Sequence, residues 1–383
     1  MFRALSKSHF QTQFDTISAK KLITASFDSV RFYAYFYGLF IMEYYWQAHE
    51  NEISSVFFCQ DSQLLSSGHD GTAKMWKLRP FRSSKLTRDR SYIFNSLEVC
   101  VTCATAASNE ELIAVASTSS VSLWKPQFRS KILSFKPHSS TVRWLEFADD
   151  SSNLVSCSDD KAIKVVSTET SKFLFSLTGH NNWIRCVRHC SGLYNEVLGS
   201  CSDDKSLKLW DKRQKKVVHN FTEASEPLLS LTFNKPGTLV ASAGLEGTVF
   251  IWDFRYQKVL SQYSVQGPVN SVAFHPHMNY VAVACDSGNL KIVNAENQMH
   301  SSILYSNTHS LKSLSFDLEG NLATGDKMGR VLLWKATMIF ENFTQEQNKT
   351  DFSFQNPQFA QELYKSRRTN KNIENDEQGN ILP

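Results

Sequence analysis

Serine, histidine and aspartate recur in this 383-residue chain at intervals that could support acyl transfer. His49, Ser66 and Asp70 form one set, followed by Trp76, and His180, Ser200 and Asp204 form a second, followed by Trp210. His138, Ser156 and Asp160 make a third, with Val166 in place of the indole. Hydrolysis would need the serine oxygen exposed beside an oxyanion hole, with histidine as base and aspartate orienting it. Here each serine sits inside a strand-like run, so the same groups read better as a buried hydrogen-bond relay in which each polar group satisfies the next. No catalytic residue is expected. Cys100-x-x-Cys103 and Cys186-x3-Cys190 have ligand-like spacing, but neither has a second pair to complete a site, so no metal and no cofactor are expected.

The elements that hold these sets follow from their period. Asp70 to Trp76, Asp204 to Trp210 and Glu246 to Trp252 share one six-residue spacing, and Trp124 and Trp334 keep the register. With Val166 and Val293 in the same slot, the marks fall at 76, 124, 166, 210, 252, 293 and 334, in steps of 48, 42, 44, 42, 41 and 41 residues. A period of about 40–45 residues with Trp210-Asp211 and Trp252-Asp253 resembles the blades of WD40 β-propellers. The expected fold is all-β, a seven-bladed WD40 β-propeller. In such blades the histidine lies in the d–a loop, serine or threonine on strand b, aspartate in the b–c turn and tryptophan on strand c. Other units keep less: Ser242, Glu246 and Trp252 lack the histidine, the unit of Ala114, Thr118 and Trp124 keeps little beyond the indole, and the unit ending at Val293 has Ser287 at the turn. The last keeps His309, Thr324 and Trp334 with Met328 in the aspartate slot.

Runs such as Ile53 to Phe58, Val142 to Phe147, Val269 to Phe274 and Leu311 to Phe316 end on phenylalanine before a short polar or Gly/Pro turn, as innermost strands should. The propeller is placed at 41–340. Phe40 to Trp46 supplies the outer strand that joins the chain's ends and removes an exposed edge. Residues 1–40 read as a degenerate repeat or appendage; Thr24, Asp28 and Ala34 fit the repeat register, which keeps eight blades open as the alternative. Residues 341–383, polar and rich in Asn, Gln, Glu and Lys, read as a flexible, disordered tail, in which 357–368 could form a short helix.

Composition narrows the function classes. With 41 basic and 37 acidic residues the net charge of +4 is too balanced for a nucleic-acid footprint. The uncharged stretch from Phe32 to Met42 falls short of the ~20 residues needed to span a bilayer, so no membrane segment is expected. The eight cysteines sit mostly in apolar strand contexts and suit reduced thiols in the cytosol. No small-molecule substrate is indicated.

Beyond the blade pattern, Lys172-Phe-Leu-Phe-Ser-Leu-Thr-Gly-His-Asn-Asn-Trp-Ile-Arg-Cys186 and Ser200 to Lys212 resemble the proteome-of-centriole WD-repeat family. Pro137 to Arg143, Val269 to Pro276 and Asn289 to Val293 extend that resemblance, which covers about residues 130 to 335. It implies a non-enzymatic scaffold with centriolar or microtubule-associated partners, acting in centriole or basal-body assembly and cilium formation. It places the protein in the cytoplasm, at the cytoskeleton. The family's C-terminal coiled coil has no counterpart here.

Candidate contact residues are Arg143, Trp144, Trp183 and Arg185, of the types enriched in binding hot spots; packing between blades is the alternative for both tryptophans. Lys212, Arg213, Lys215 and Lys216, with a second basic cluster at 79–90, could meet acidic partners. Trp210-Asp-Lys-Arg213 and Trp252-Asp-Phe-Arg255 also resemble the Trp-Asp-x-Arg box of propellers that serve as substrate receptors for cullin-RING ubiquitin ligases, a second reading that would give Arg213 and Arg255 the contact role.

Overall fold

The computed structural model describes residues 42–334 except 60–62, 79–88, 96–99, 129, 254, 257, 266, 296–300 and 306–308, together with two strands nearer the N-terminus. Those two, β1 (Ile23–Phe27) and β2 (Val30–Ala34), pair among the described residues with each other alone, as a two-stranded antiparallel sheet. Next comes β3 (Met42–Gln47), and then the four-stranded blades begin.

Blade 1 holds β4 (Ile53–Phe58), β5 (Gln63–Gly68), β6 (Thr72–Lys77) and β7 (Asp89–Asn95). Blade 2 holds β8 (Val101–Ala106), β9 (Ile113–Ser117), β10 (Ser120–Lys125) and β11 (Ser130–Phe135). Blade 3 holds β12 (Val142–Phe147), β13 (Asn153–Ser158), β14 (Ala162–Ser167) and β15 (Phe173–Thr178). Blade 4 holds β16 (Ile184–His189), β17 (Val197–Ser202), β18 (Leu207–Asp211) and β19 (Lys216–Phe221). Blade 5 holds β20 (Leu228–Phe233), β21 (Leu239–Gly244), β22 (Thr248–Asp253) and β23 (Lys258–Ser264). Blade 6 holds β24 (Val269–Phe274), β25 (Tyr280–Cys285), β26 (Asn289–Asn294) and β27 (Ser301–Tyr305). Blade 7 takes β28 (Leu311–Phe316), β29 (Leu322–Asp326) and β30 (Arg330–Trp334) from the end of the ring and β3 from its start. The ring has seven blades.

Closure rests on β3, which runs antiparallel to β30 with Tyr45 opposite Leu332 and Trp46 opposite Val331. The backbone N–H groups of Ala48 and His49 both donate to the Gly329 carbonyl at 2.9 Å. Gly329 adopts φ +80°, and a Cβ there would lie 2.1 Å from the His49 carbonyl, so only glycine allows this latch. The expected closing strand began at Phe40; Phe40 and Ile41 lie outside the described residues, as do the 79–88 part of the basic cluster, Asp28 and the 341–383 segment with its 357–368 helix.

Each innermost strand opens on a fully buried aliphatic residue, such as Ile53, Val101, Val142, Ile184, Val269 and Leu311, which fixes which face meets the neighbouring blade. Successive blades are also stitched through serines at the third strand position. Ala104 N–H donates to Ser55 Oγ at 2.9 Å, Val56 N–H to Ser313 Oγ at 2.9 Å and Val272 N–H to Ser230 Oγ at 3.2 Å. Among the described residues the single helical turn is Gly192–Tyr194, and no helix is long and apolar enough to cross a membrane.

Candidate protein-interaction site

In blade 4, His180 Nδ1 lies 2.8 Å from Asp204 Oδ2 and Nε2 lies 2.8 Å from Ser200 Oγ, which accepts the Trp210 indole N–H at 2.7 Å. Blade 1 repeats this: His49 to Asp70 at 3.0 Å, His49 to Ser66 at 2.8 Å, Trp76 to Ser66 at 2.9 Å. In blade 3 His138 bonds Asp160 and Ser156, but Val166 offers no donor and Ser156 Oγ turns to the Lys164 carbonyl at 3.3 Å. Ser66 and Ser200 are fully buried. Their oxygens are engaged by imidazole and indole, so neither can meet a substrate carbonyl.

The electrostatics suit a static relay. Burial pulls the His49 and His138 imidazoles below their ordinary pKa, against the opposing pull of Asp70 and Asp160. For Asp70 and Asp204 burial works toward protonation but is outweighed, by the hydrogen bonds of Thr72 and His49 in the first case and of His180 and Ser206 in the second, so both carboxyls lie below the usual range. The relay pins the b–c turn, where the following residue takes a left-handed conformation: Gly71 at φ 78°, Lys161 at 67° and Lys205 at 68°.

Blade 7 differs from its sequence reading in two ways. His309 stands two residues before β28, whereas His49, His138 and His180 stand four residues before their strands, so it is out of register with them. Beside Met328, the turn of blade 7 is held instead by buried Asp326, which accepts the Met328 and Arg330 N–H groups and the Arg330 guanidinium.

The d–a loops and b–c turns emerge at one end of the ring, and there the structure assembles Arg143, Trp183 and Arg185. Arg143 grips Asp159 through Nε at 2.8 Å and Nη2 at 2.6 Å, and Arg185 grips Asp203 at 2.7 and 2.6 Å. Both guanidiniums lie over the Trp183 ring, 5.8 and 5.2 Å from its centroid. Trp183 remains 43% exposed. Hydrogen bonding to Asp203 holds the Arg185 pKa above its ordinary value. The result is an aromatic platform clamped by two bidentate ion pairs, rigid before any partner arrives.

Trp144 does not join this group. It packs against three core clusters, from blades 2 to 5, and carries the Arg188 guanidinium 4.5 Å above its ring. It lines a cavity of about 380 Å³ along the inner strands, where Arg188 Nη1 meets Glu146 at 2.9 Å. The other six innermost strands have Ser55, Cys103, Cys186, Ser230, Ser271 and Ser313 at this position, so repeat alignment carries the signal that separates Trp144 from Trp183.

Lys212, Arg213, Lys215 and Lys216 cluster at the β18–β19 turn on the opposite end, Arg213 reaching Glu196 at 3.4 Å while staying 76% exposed. Arg255 folds back on Asp253 of its own box, at 3.0 Å through Nε and 2.6 Å through Nη2. All eight cysteines are free thiols, and among the described residues no group of three or more His, Cys, Asp or Glu is placed to hold a metal.

Comparison with known proteins agrees with the repeat. Residues 41–77 match the family model described as WD domain, G-beta repeat, and residues 137–324 match that of the nucleolar protein 10-like N-terminal domain. The small ribosomal subunit protein RACK1 of Candida albicans is 34% identical over 113 residues, 30% of this chain and 36% of the relative. That of Neurospora crassa is 25% identical over 116 residues, 30% and 37%, and RACK1y of Oryza sativa is 23% identical over 167 residues, 42% and 49%. The chain thus spans about a third to a half of the length of these curated relatives. Its repeat period, its seven four-stranded blades and these matches agree: the chain is a WD40-repeat β-propeller protein.

Proposed function

We propose that this propeller is a non-enzymatic scaffold that binds protein partners at the end of the ring bearing Trp183. The observation that carries this reading is the Arg143–Trp183–Arg185 stack. Long arginine side chains normally lose rotamer freedom on binding, but Asp159 and Asp203 already hold these two, which lowers the cost of docking. A half-exposed indole flanked by two guanidinium groups has the character of an interface anchor.

Two partner classes have support. The Lys172 to Cys186 and Ser200 to Lys212 runs resemble the centriolar family and favour a role at centrioles or basal bodies, with microtubule-associated partners and a cytoplasmic, cytoskeletal location. The relatives whose names place them in the small ribosomal subunit favour a ribosome-associated scaffold. The ligase-receptor reading retains Arg213, whereas Arg255 is already engaged by Asp253.

A tagged copy imaged in dividing cells and run on a sucrose gradient separates the two. Centriolar foci support the first class, and co-migration with the small ribosomal subunit supports the second. Crosslinking and mass spectrometry on wild type and Trp183→Ala test the site: partners of either class should be lost from the variant. A partner set unchanged by Trp183→Ala sinks the proposed face, and recovery of ligase adaptor subunits dependent on Arg213 replaces it.

A further inference from the structure

We propose that the outer rim of blades 2 to 5 is a second docking surface, shaped for an extended acidic polypeptide with interspersed apolar side chains. In these four blades the outermost strand carries a β-bulge opposite the tryptophan slot, and the residue left without a cross-strand partner is Ile132, Leu174, Val218 or Leu260. Their exposures are 48, 45, 49 and 47%. The other blades break the pattern: the bulge of blade 1 leaves out Arg90 and Ser91, that of blade 7 leaves out Glu43, and β27 pairs without a bulge through Ser301 and Ser302.

A basic residue accompanies each apolar one. Exposed Lys131, Lys172, Lys216 and Lys258 precede the bulge residues by one or two positions, and Phe128, Phe173 and Tyr256 add exposed aromatic surface. The described residues of segments 125–132, 168–174, 211–218 and 253–260 together include nine basic and three acidic ones, in a chain whose totals are 41 and 37. One of the three, Asp253, is already bound to Arg255. Basic residues outnumber acidic ones threefold on this arc.

Edge protection alone accounts for bulges and lysines, which stop outer strands from pairing with other molecules. It does not account for apolar side chains set into those bulges, which invite contact. Because each bulge interrupts the free edge, strand addition is disfavoured and recognition falls to side chains. Four of seven blades cover more than half of a convex circumference. A flat bilayer cannot touch all four at once, whereas an extended chain can follow them, pairing carboxylates with the lysines and apolar groups with the bulge residues. This surface lies away from Trp183, so its test is independent of the scaffold face proposed above.

The probe is a fluorescein-labelled 24-residue peptide of repeated Glu-Glu-Leu, read by fluorescence anisotropy. Binding should weaken about tenfold between 50 and 300 mM NaCl, because exposed charges act over about 10 Å at 0.1 M salt and less above it. Lys131→Glu, Lys172→Glu, Lys216→Glu and Lys258→Glu should each weaken binding, and the quadruple variant should abolish it. Leu174→Ser with Leu260→Ser should weaken it at constant charge, and Trp183→Ala should leave it unchanged. Equal binding of a Glu-Glu-Ser peptide overturns the apolar half of the inference. No peptide binding, or sedimentation with phosphatidylserine vesicles in its place, overturns the occupant, and a quadruple variant that binds like wild type overturns the surface.

Discussion

Blade 4 and blade 5 are neighbours with the same indole–serine bond, at 2.7 Å for Trp210 and 2.9 Å for Trp252, yet one has the histidine and the other does not. In blade 4, Asp204 accepts the Asn181 N–H at 2.9 Å and also holds His180 and Ser206. In blade 5 Ala224 stands where blade 4 has His180, and Glu246 reaches the Ser225 N–H at 3.2 Å with its longer arm. Both therefore tie the d–a loop to the b–c turn through a carboxylate. What the pair teaches is that the pin is the common structural element, and that histidine adds a buried connection from the pin to the strand.

Acid should expose the difference most strongly. His49 and His138 are held below 6.5 chiefly by burial, and burial, with Lys212 secondary, pushes His189 down to about 3. A depressed histidine binds fewer protons folded than unfolded, so its stabilising contribution is complete above pH 6.5 and is lost as pH falls toward the folded value. Each such group costs up to about 1.4 kcal/mol per pH unit in that window. Melting temperature should therefore fall steeply from pH 7 to 5, with hydrogen exchange rising in blades 1 and 3 before blade 5. Uniform exchange across the ring would break the comparison.

Truncating Trp210 to alanine should destabilise the ring by about 3–5 kcal/mol, from the cavity and the lost bond to Ser200. A urea midpoint close to that of wild type would show that the indole is not a core element. The carboxylates give a sharper contrast. Asp204→Ala leaves His180, Ser206 and Asn181 without their acceptor and should cost about 2–3 kcal/mol. Glu246→Ala, at an exposed position with one backbone bond, should stay within about 0.5 kcal/mol. Equal losses would mean that the histidine adds nothing to the pin.

The blade count and the polar sets were legible because a fixed period and fixed residue types reflect one repeated hydrogen-bond geometry. Closure by the strand ending at Trp46 was legible for the same reason, since a ring with a bare edge is unfavourable. Other features depend on register. His309 matches by residue type but sits two positions out of register, and Asp326 takes over the turn from a position where no aspartate is expected. The bulge residues on the rim are set by which backbone pair is skipped, and composition does not encode that choice.

Trp144 and Trp183 carry the same lesson at the candidate site. Both lie near an arginine in sequence, yet one is wedged among the inner strands and the other stands on the surface. Trp144→Ala should lower stability by about 2–4 kcal/mol, since the cavity it leaves is bordered by three blade cores that cannot all collapse inward. Trp183→Ala removes a half-exposed ring whose neighbouring arginines keep their aspartates, and should change stability by no more than about 0.5 kcal/mol. Its effect should appear in binding instead, because the two guanidiniums lose the platform between them while their ion pairs persist. Paired thermal melts and partner crosslinking on the two variants decide the matter: a melted Trp183→Ala protein would make that indole another core residue, and the Arg143–Trp183–Arg185 stack would then be packing rather than a site.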